Sequence, residues 1–175
     1  MLLILLFSCV KDPGFPLEPR ISFKSIQFIK GSGGNQDIIR LSIGFTDGDG
    51  DLGLSGADTT GDFNPKQVNG FPTNDNYYNM NLTFLFKNEK NEFVTCKDFV
   101  ECPVPDSLLK LYNGRFPPLI PSGQKRPISG TLTYDVSSTS FYTAFLNQTI
   151  KFRLFIKDRS LNKSNVIETD TIRIK

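Results

Sequence analysis

The sequence has no histidine and no tryptophan, only two methionines and only three cysteines. Without histidine, the Ser-His-Asp and Cys-His nucleophile systems, the usual zinc sites and the commonest general base are all excluded. A strong charge imbalance is also absent. The 20 Lys and Arg stand against 18 Asp and Glu, and a net +2 is too even for a nucleic-acid binder, whose basic charge is clustered. No stretch sustains a helical period. What is present is a chain of 175 residues, 38% hydrophobic and 22% charged, long enough for one domain with a real core. Sixteen Phe, eleven Pro and fourteen Gly point to strands and turns.

The strands are written in period two. Ile39, Leu41, Ile43 and Phe45 alternate with Arg40, Ser42 and Gly44, and Met80, Leu82, Phe84 and Phe86 with Asn81, Thr83 and Lys87. Leu132, Tyr134 and Val136 repeat the pattern, as do Ile150, Phe152, Leu154 and Ile156. Such alternation marks half-buried strands. Ile21-Phe23 and Ile26-Phe28 are in opposite phase, which predicts a bulge near Lys24-Ser25. One more strand is expected over about 166–174, and a single helical turn over 108–112. About seven antiparallel strands without helices predict an all-β fold, an immunoglobulin-like or fibronectin-type β-sandwich spanning residues 21–175. No Cys…Trp…Cys pattern exists to make it a true immunoglobulin domain. The long Pro-rich segment 97–127 is read either as a partner-facing surface or as a cover over a sheet edge.

The chemistry is concentrated in Asp47-Gly48-Asp49-Gly50-Asp51-Leu52-Gly53, which runs straight on from the second strand. Carboxylates at alternate positions, with glycines between them, can curl so that several oxygens meet at one point. Hard oxygen donors in that number suit Ca²⁺, which takes 6–8 of them. The spacing resembles an EF-hand loop, with Asp47, Asp49 and Asp51 as its first ligands, a carbonyl from Gly53, then Ser55 and Asp58. Leu52 replaces the glycine an EF-hand requires and a strand precedes the loop, so the expectation is a calcium loop on a β-scaffold. Strand phase adds a remote ligand. One step beyond Phe45 in the inward series is Asp47, and one step beyond Ile156 is Asp158. In an immunoglobulin-like order both strands end at the same pole, so Asp47 and Asp158 should meet there, with Asn162 as a further donor. The competing possibilities are that Asp158 caps its own turn or pairs with Arg159 or Lys163.

Residues 1–8 and Cys9 form an apolar run far too short to span a bilayer. It reads as a secretory signal, and Leu6-Phe7-Ser8-Cys9 resembles a lipobox, which implies signal removal and acylation of Cys9. Residues 9–20, with Pro13, Pro16 and Pro19, read as a semi-extended tether. In an exported protein Cys96 and Cys102 are expected to pair as a disulfide, worth roughly 2 kcal/mol for so short a loop.

Taken together, the lipobox, the tether, the strand ending in Phe45-Thr46-Asp47-Gly48-Asp49-Gly50-Asp51-Leu52-Gly53 and the late turn over 158–165 resemble small outer-membrane lipoproteins of the Bacteroidetes type. The resemblance implies lipid anchoring at the bacterial outer membrane, on either its periplasmic or its surface face, and implies no activity. A binding or accessory module stabilised by Ca²⁺ is therefore expected, with an envelope protein or a surface glycan as partner and no nucleic acid. A carbohydrate-active enzyme would need paired carboxylates placed for acid–base work, and a structural spacer would need no site at all. Phe63, Phe71, Tyr77 and Tyr78, after the acidic run, are the candidates for a sugar-binding aromatic platform.

Overall fold

The computed structural model describes residues 14–32, 36–102, 104–121, 123–138 and 145–175. The signal segment, Cys9 and the first part of the tether lie outside the described residues. The described chain is all-β, with eight strands: β1 (Arg20–Ile29), β2 (Asp37–Asp47), β3 (Met80–Lys87), β4 (Phe93–Thr95), β5 (Ile128–Ser138), β6 (Thr149–Ile156), β7 (Ile167–Glu168) and β8 (Ile172–Arg173). One sheet runs β1-β2-β5; the other runs β4-β3-β6-β7, with β8 also on β6. Every pairing is antiparallel. Consecutive hairpins stay within a sheet while the chain crosses between sheets at β2–β3, β4–β5 and β5–β6, the connectivity of an immunoglobulin-like sandwich.

Alternation sets the faces. Ile39, Leu41 and Ile43 of β2 turn inward and meet Met80, Phe84, Phe86, Ile150, Phe152, Leu154 and Ile156 from the other sheet, all at most 1% exposed. Phenylalanine fills the middle: the Phe84 ring lies edge-on to Phe152 at 4.6 Å and stacks near Phe145 at 5.6 Å. Such aromatic pairs add to what their area burial contributes. The register of β1 on β2 slips between Phe23 and Ser25, so the phase change in the sequence is a bulge at Lys24.

The last strand departs from expectation, because it is two short pieces and not one run over 166–174. Thr169 divides them. Its N–H donates to the Phe152 carbonyl while its hydroxyl accepts from the Phe152 N–H, so a side chain takes a place in the ladder that a backbone carbonyl would hold. Among the described residues, helix is confined to short turns such as Asp106–Leu109 followed by Lys110–Tyr112, and no helix is long and apolar enough to cross a membrane.

The segment after the Cys96–Cys102 pair covers the front of the β3 edge. Gly114 exchanges backbone hydrogen bonds with Met80, and Asn113 accepts from the Leu82 N–H. Asn79 and Phe116 are joined by two more. Edge groups that would otherwise be open are thus satisfied. The two cysteines lie at disulfide distance, with Cα atoms 5.3 Å apart.

Candidate metal centre at the β2–β6 pole

Asp47 is the last residue of β2, and Asp158 lies two residues past the end of β6. Both are buried, at 0% and 1% exposure. The loop after β2 is stitched to the turn after β6: Leu52 bridges Asp158, and the Arg159 N–H donates to the Asp51 carbonyl. These ties bring carboxylate oxygens of Asp47, Asp51 and Asp158 to within 4.8 Å of one another. Period-two phase therefore placed the two strand-end acids correctly at one pole.

The hydrogen bonding around them is unequal. Asp158 accepts from the Asn162 N–H at 2.8 Å and from its side-chain amide at 2.9 Å. Asp51 Oδ2 accepts from the Ser160 N–H and hydroxyl. Against these, both oxygens of Asp47, Oδ1 of Asp49 and Oδ1 of Asp51 are buried without a hydrogen-bond partner. A buried carboxylate with nothing to bond costs several times what a satisfied one does. Burial, then repulsion from Asp51 and Asp49, pushes the Asp47 carboxyl up to about 7. The Gly50 N–H offsets part of that shift but falls short of hydrogen-bond geometry. Asp158 is raised to about 6, again chiefly by burial, with Asn162 opposing.

The two basic residues that flank Asp158 do not neutralise the cluster. Lys157, only 3% exposed, donates its ammonium to the Asp75 carbonyl at 2.6 Å and to Asn76 Oδ1 at 2.8 Å. Arg159 grips Asp58 through both terminal nitrogens, at 2.6 and 2.9 Å. Asp58 also accepts from the Ser55 N–H and hydroxyl. Held chiefly by Arg159, its carboxyl stays well below the usual range. Asp58 is thus not brought to the cluster, and neither is Ser55. The EF-hand spacing does not describe the gathered set: Asp49 is not among the three acids brought together, and a guanidinium 101 residues away competes for Asp58. Gly53 serves a packing role. It sits at φ +105°, and a Cβ there would overlap the Pro117 carbonyl.

Residues 117–121 and 123–126 form a strap that closes over the loop. Leu119 N–H donates to the Leu52 carbonyl and Arg126 N–H to that of Asp49. Between strap and loop lies a cleft of about 500 Å³, bordered by Asp51, Asp58, Ile120, Lys125 and Arg159. The strap, Ser160 as the holder of Asp51, and the Asp58–Arg159 pair were not anticipated from the sequence. The one available signal was Ser160 itself, a small polar residue in the turn beside Asp158. The four aromatics do not form one exposed platform. Tyr78 is buried, Tyr77 is half-buried beneath the Arg115 guanidinium at 4.3 Å, Phe63 is half-buried, and Phe71 alone is exposed.

No family model, no curated protein and no solved structure matches the chain.

Proposed function

We propose that this chain is a calcium-stabilised β-sandwich module, held at the outer membrane by an acylated Cys9 and acting in binding or as an accessory to an envelope protein or surface glycan. The observation that carries the cation is Asp47. A fully buried carboxylate with both oxygens unbonded, facing two more carboxylates, is explained by an ion that bonds all of them. Asp47, Asp51 and Asp158 would hold it, with Asp49 close enough to act on Asp47 electrostatically. Among hard cations Ca²⁺ suits an irregular loop of carboxylates and carbonyls better than Mg²⁺, which demands near-ideal octahedral geometry. The gathering of these acids into one cluster favours a structural ion over an acid–base pair.

The test is thermal unfolding of the chain with millimolar Ca²⁺ and with chelator. An ion that binds only the folded state stabilises it by about 2.7 kcal/mol at a hundredfold excess over Kd. An unchanged midpoint, with no calcium heat by calorimetry, refutes the calcium reading. Cys9→Ser tests the anchor: it should release the protein from the membrane fraction, and continued sedimentation after a salt wash would refute acylation.

A further inference from the structure

The loop between β2 and β3 carries a small hairpin that the cation site does not use. Val68 and Phe71 exchange both backbone hydrogen bonds, each at 3.0 Å. Asn69 and Gly70 between them lie at φ +51° and +82°, the two positive values a type I′ turn requires. Below this turn, the Thr73 N–H donates to the Pro65 carbonyl and the Asn74 amide to the carbonyls of Asp62 and Asn64. The hairpin is therefore a braced finger, yet its tip shows apolar side chains to solvent, with Val68 57% and Phe71 48% exposed. From Gln67 to Pro72 the tip carries no charge, and Lys66 stands just behind it. The acids nearest the hairpin in sequence, Asp62 and Asp75, lie in the turns at its base, and Asp75 is 3.6 Å from the Lys110 ammonium.

The finger springs from the pole at which the chain arrives. Its base is held there by Lys157, the neighbour of Asp158. The incoming chain lies against the acidic loop so closely that a Cβ on Gly48 would collide with the Phe15 and Pro16 carbonyls. From Cys9 to Gly14 there are five residues, which span at most about 17 Å. A lipid on Cys9 would therefore keep Gly14, and the pole it enters, within about 17 Å of the anchor. Beside it, Leu17 is a further apolar side chain, 60% exposed.

We propose that the Val68–Phe71 fingertip rests in the lipid surface that holds the Cys9 anchor, fixing the orientation of the module on the membrane. This rests on the anchoring reading above. An uncharged apolar tip with a lysine behind it matches the layering of a lipid interface, from acyl boundary to headgroup. The contact can be weak, because the anchor makes the encounter intramolecular.

The absence of tryptophan supplies the probe. The full chain carrying Phe71→Trp is reconstituted in vesicles of phosphatidylethanolamine and phosphatidylglycerol, with acylation of Cys9 read by mass spectrometry on the same sample. The expected result is an indole emission shifted to the blue and largely quenched by brominated acyl chains. Adding Val68→Asp should restore solvent-like, unquenched emission at an unchanged unfolding midpoint. Solvent-like emission from the acylated Phe71→Trp chain overturns the fingertip while leaving the anchor standing. A blue shift that persists in detergent and grows with protein concentration means that a second copy covers the tip, and also overturns it. If Cys9 carries no acyl chain the anchoring reading falls, and the fingertip falls with it unless added vesicles still quench the indole of the soluble chain.

Discussion

Two kinds of carboxylate share this sandwich. Asp135, Glu168 and Asp58 each face a basic partner: Asp135 meets Arg40, Glu168 meets Lys151 and Arg153, and Asp58 meets Arg159. All three titrate below their ordinary values because of those partners. Asp47 and Asp158 titrate above theirs, because they are buried and face other acids. The first group carries its counter-charge within the chain and sits at or near the surface. The second lies at the end of the core, and the basic residues nearest to it in sequence are engaged elsewhere. With Arg159 bonded to Asp58 and Lys157 to the Asp75 carbonyl, neither basic neighbour bonds the cluster between them. On the proposed reading, an ion at this pole would couple its binding to folding.

The comparison breaks if the two kinds of acid respond alike, and the largest difference is expected between Asp158 and Asp58. Asp158→Ala should weaken Ca²⁺ by well over the roughly tenfold expected for its supporting residue Asn162. Asp58→Ala should change affinity by no more than about threefold, the spread typical of context effects. Calcium calorimetry on both variants checks this, and equal losses would mean that Asp58 belongs to the ion site after all.

The pH dependence separates the two groups next, and the signs differ. In chelator, folded Asp47 takes up its proton near pH 7 and the unfolded residue only near 3.8. The folded state thus binds more protons in that window, so this residue contributes rising stability as pH falls from about 7 to about 4. Asp58 has a depressed value, so its contribution is present above about 4 and disappears as pH falls through its folded value. Calcium requires the ionised carboxylates. The gap between unfolding midpoints with Ca²⁺ and with chelator should therefore shrink from about pH 8 to about pH 5. A gap that stays constant would show that Asp47 is not in contact with the ion.

The smallest effect is reserved for the outer sheet face. Glu168→Gln should cost at most about 1 kcal/mol in unfolding measurements, since its ion pairs are exposed, and it should leave calcium binding unchanged. A larger loss would point to disruption of the β6–β7 ladder itself.

Much of this pole could be read before the structure. The strands were visible because a half-buried strand must alternate, and Asp47 and Asp158 were visible because each continues an inward series by one step. The rest depended on choices that spacing does not encode. Ser55 and Asp58 fall at plausible calcium-loop positions, yet Arg159, distant in sequence, captures Asp58. Thr169 looks like an ordinary strand residue until its hydroxyl enters the ladder. The Pro-rich strap over 117–126 has no periodicity, so nothing in it announces that Arg126 and Leu119 will bind the acidic loop's carbonyls. The edge-cover reading of segment 97–127 was correct for Asn113–Phe116, where backbone groups needed partners.

The central claim is that Asp47 is buried without a partner because an ion completes it. The direct measurement is a calorimetric titration with Ca²⁺ of the parent chain and of Asp47→Asn, with unfolding of both followed in chelator. The account predicts one calcium ion on the parent chain and none on the variant. It also predicts a higher unfolding midpoint for the variant in chelator, by about 2–4 °C for each kcal/mol of repulsion relieved. A variant that binds calcium as the parent does, or one that is less stable than the parent without the ion, would contradict it.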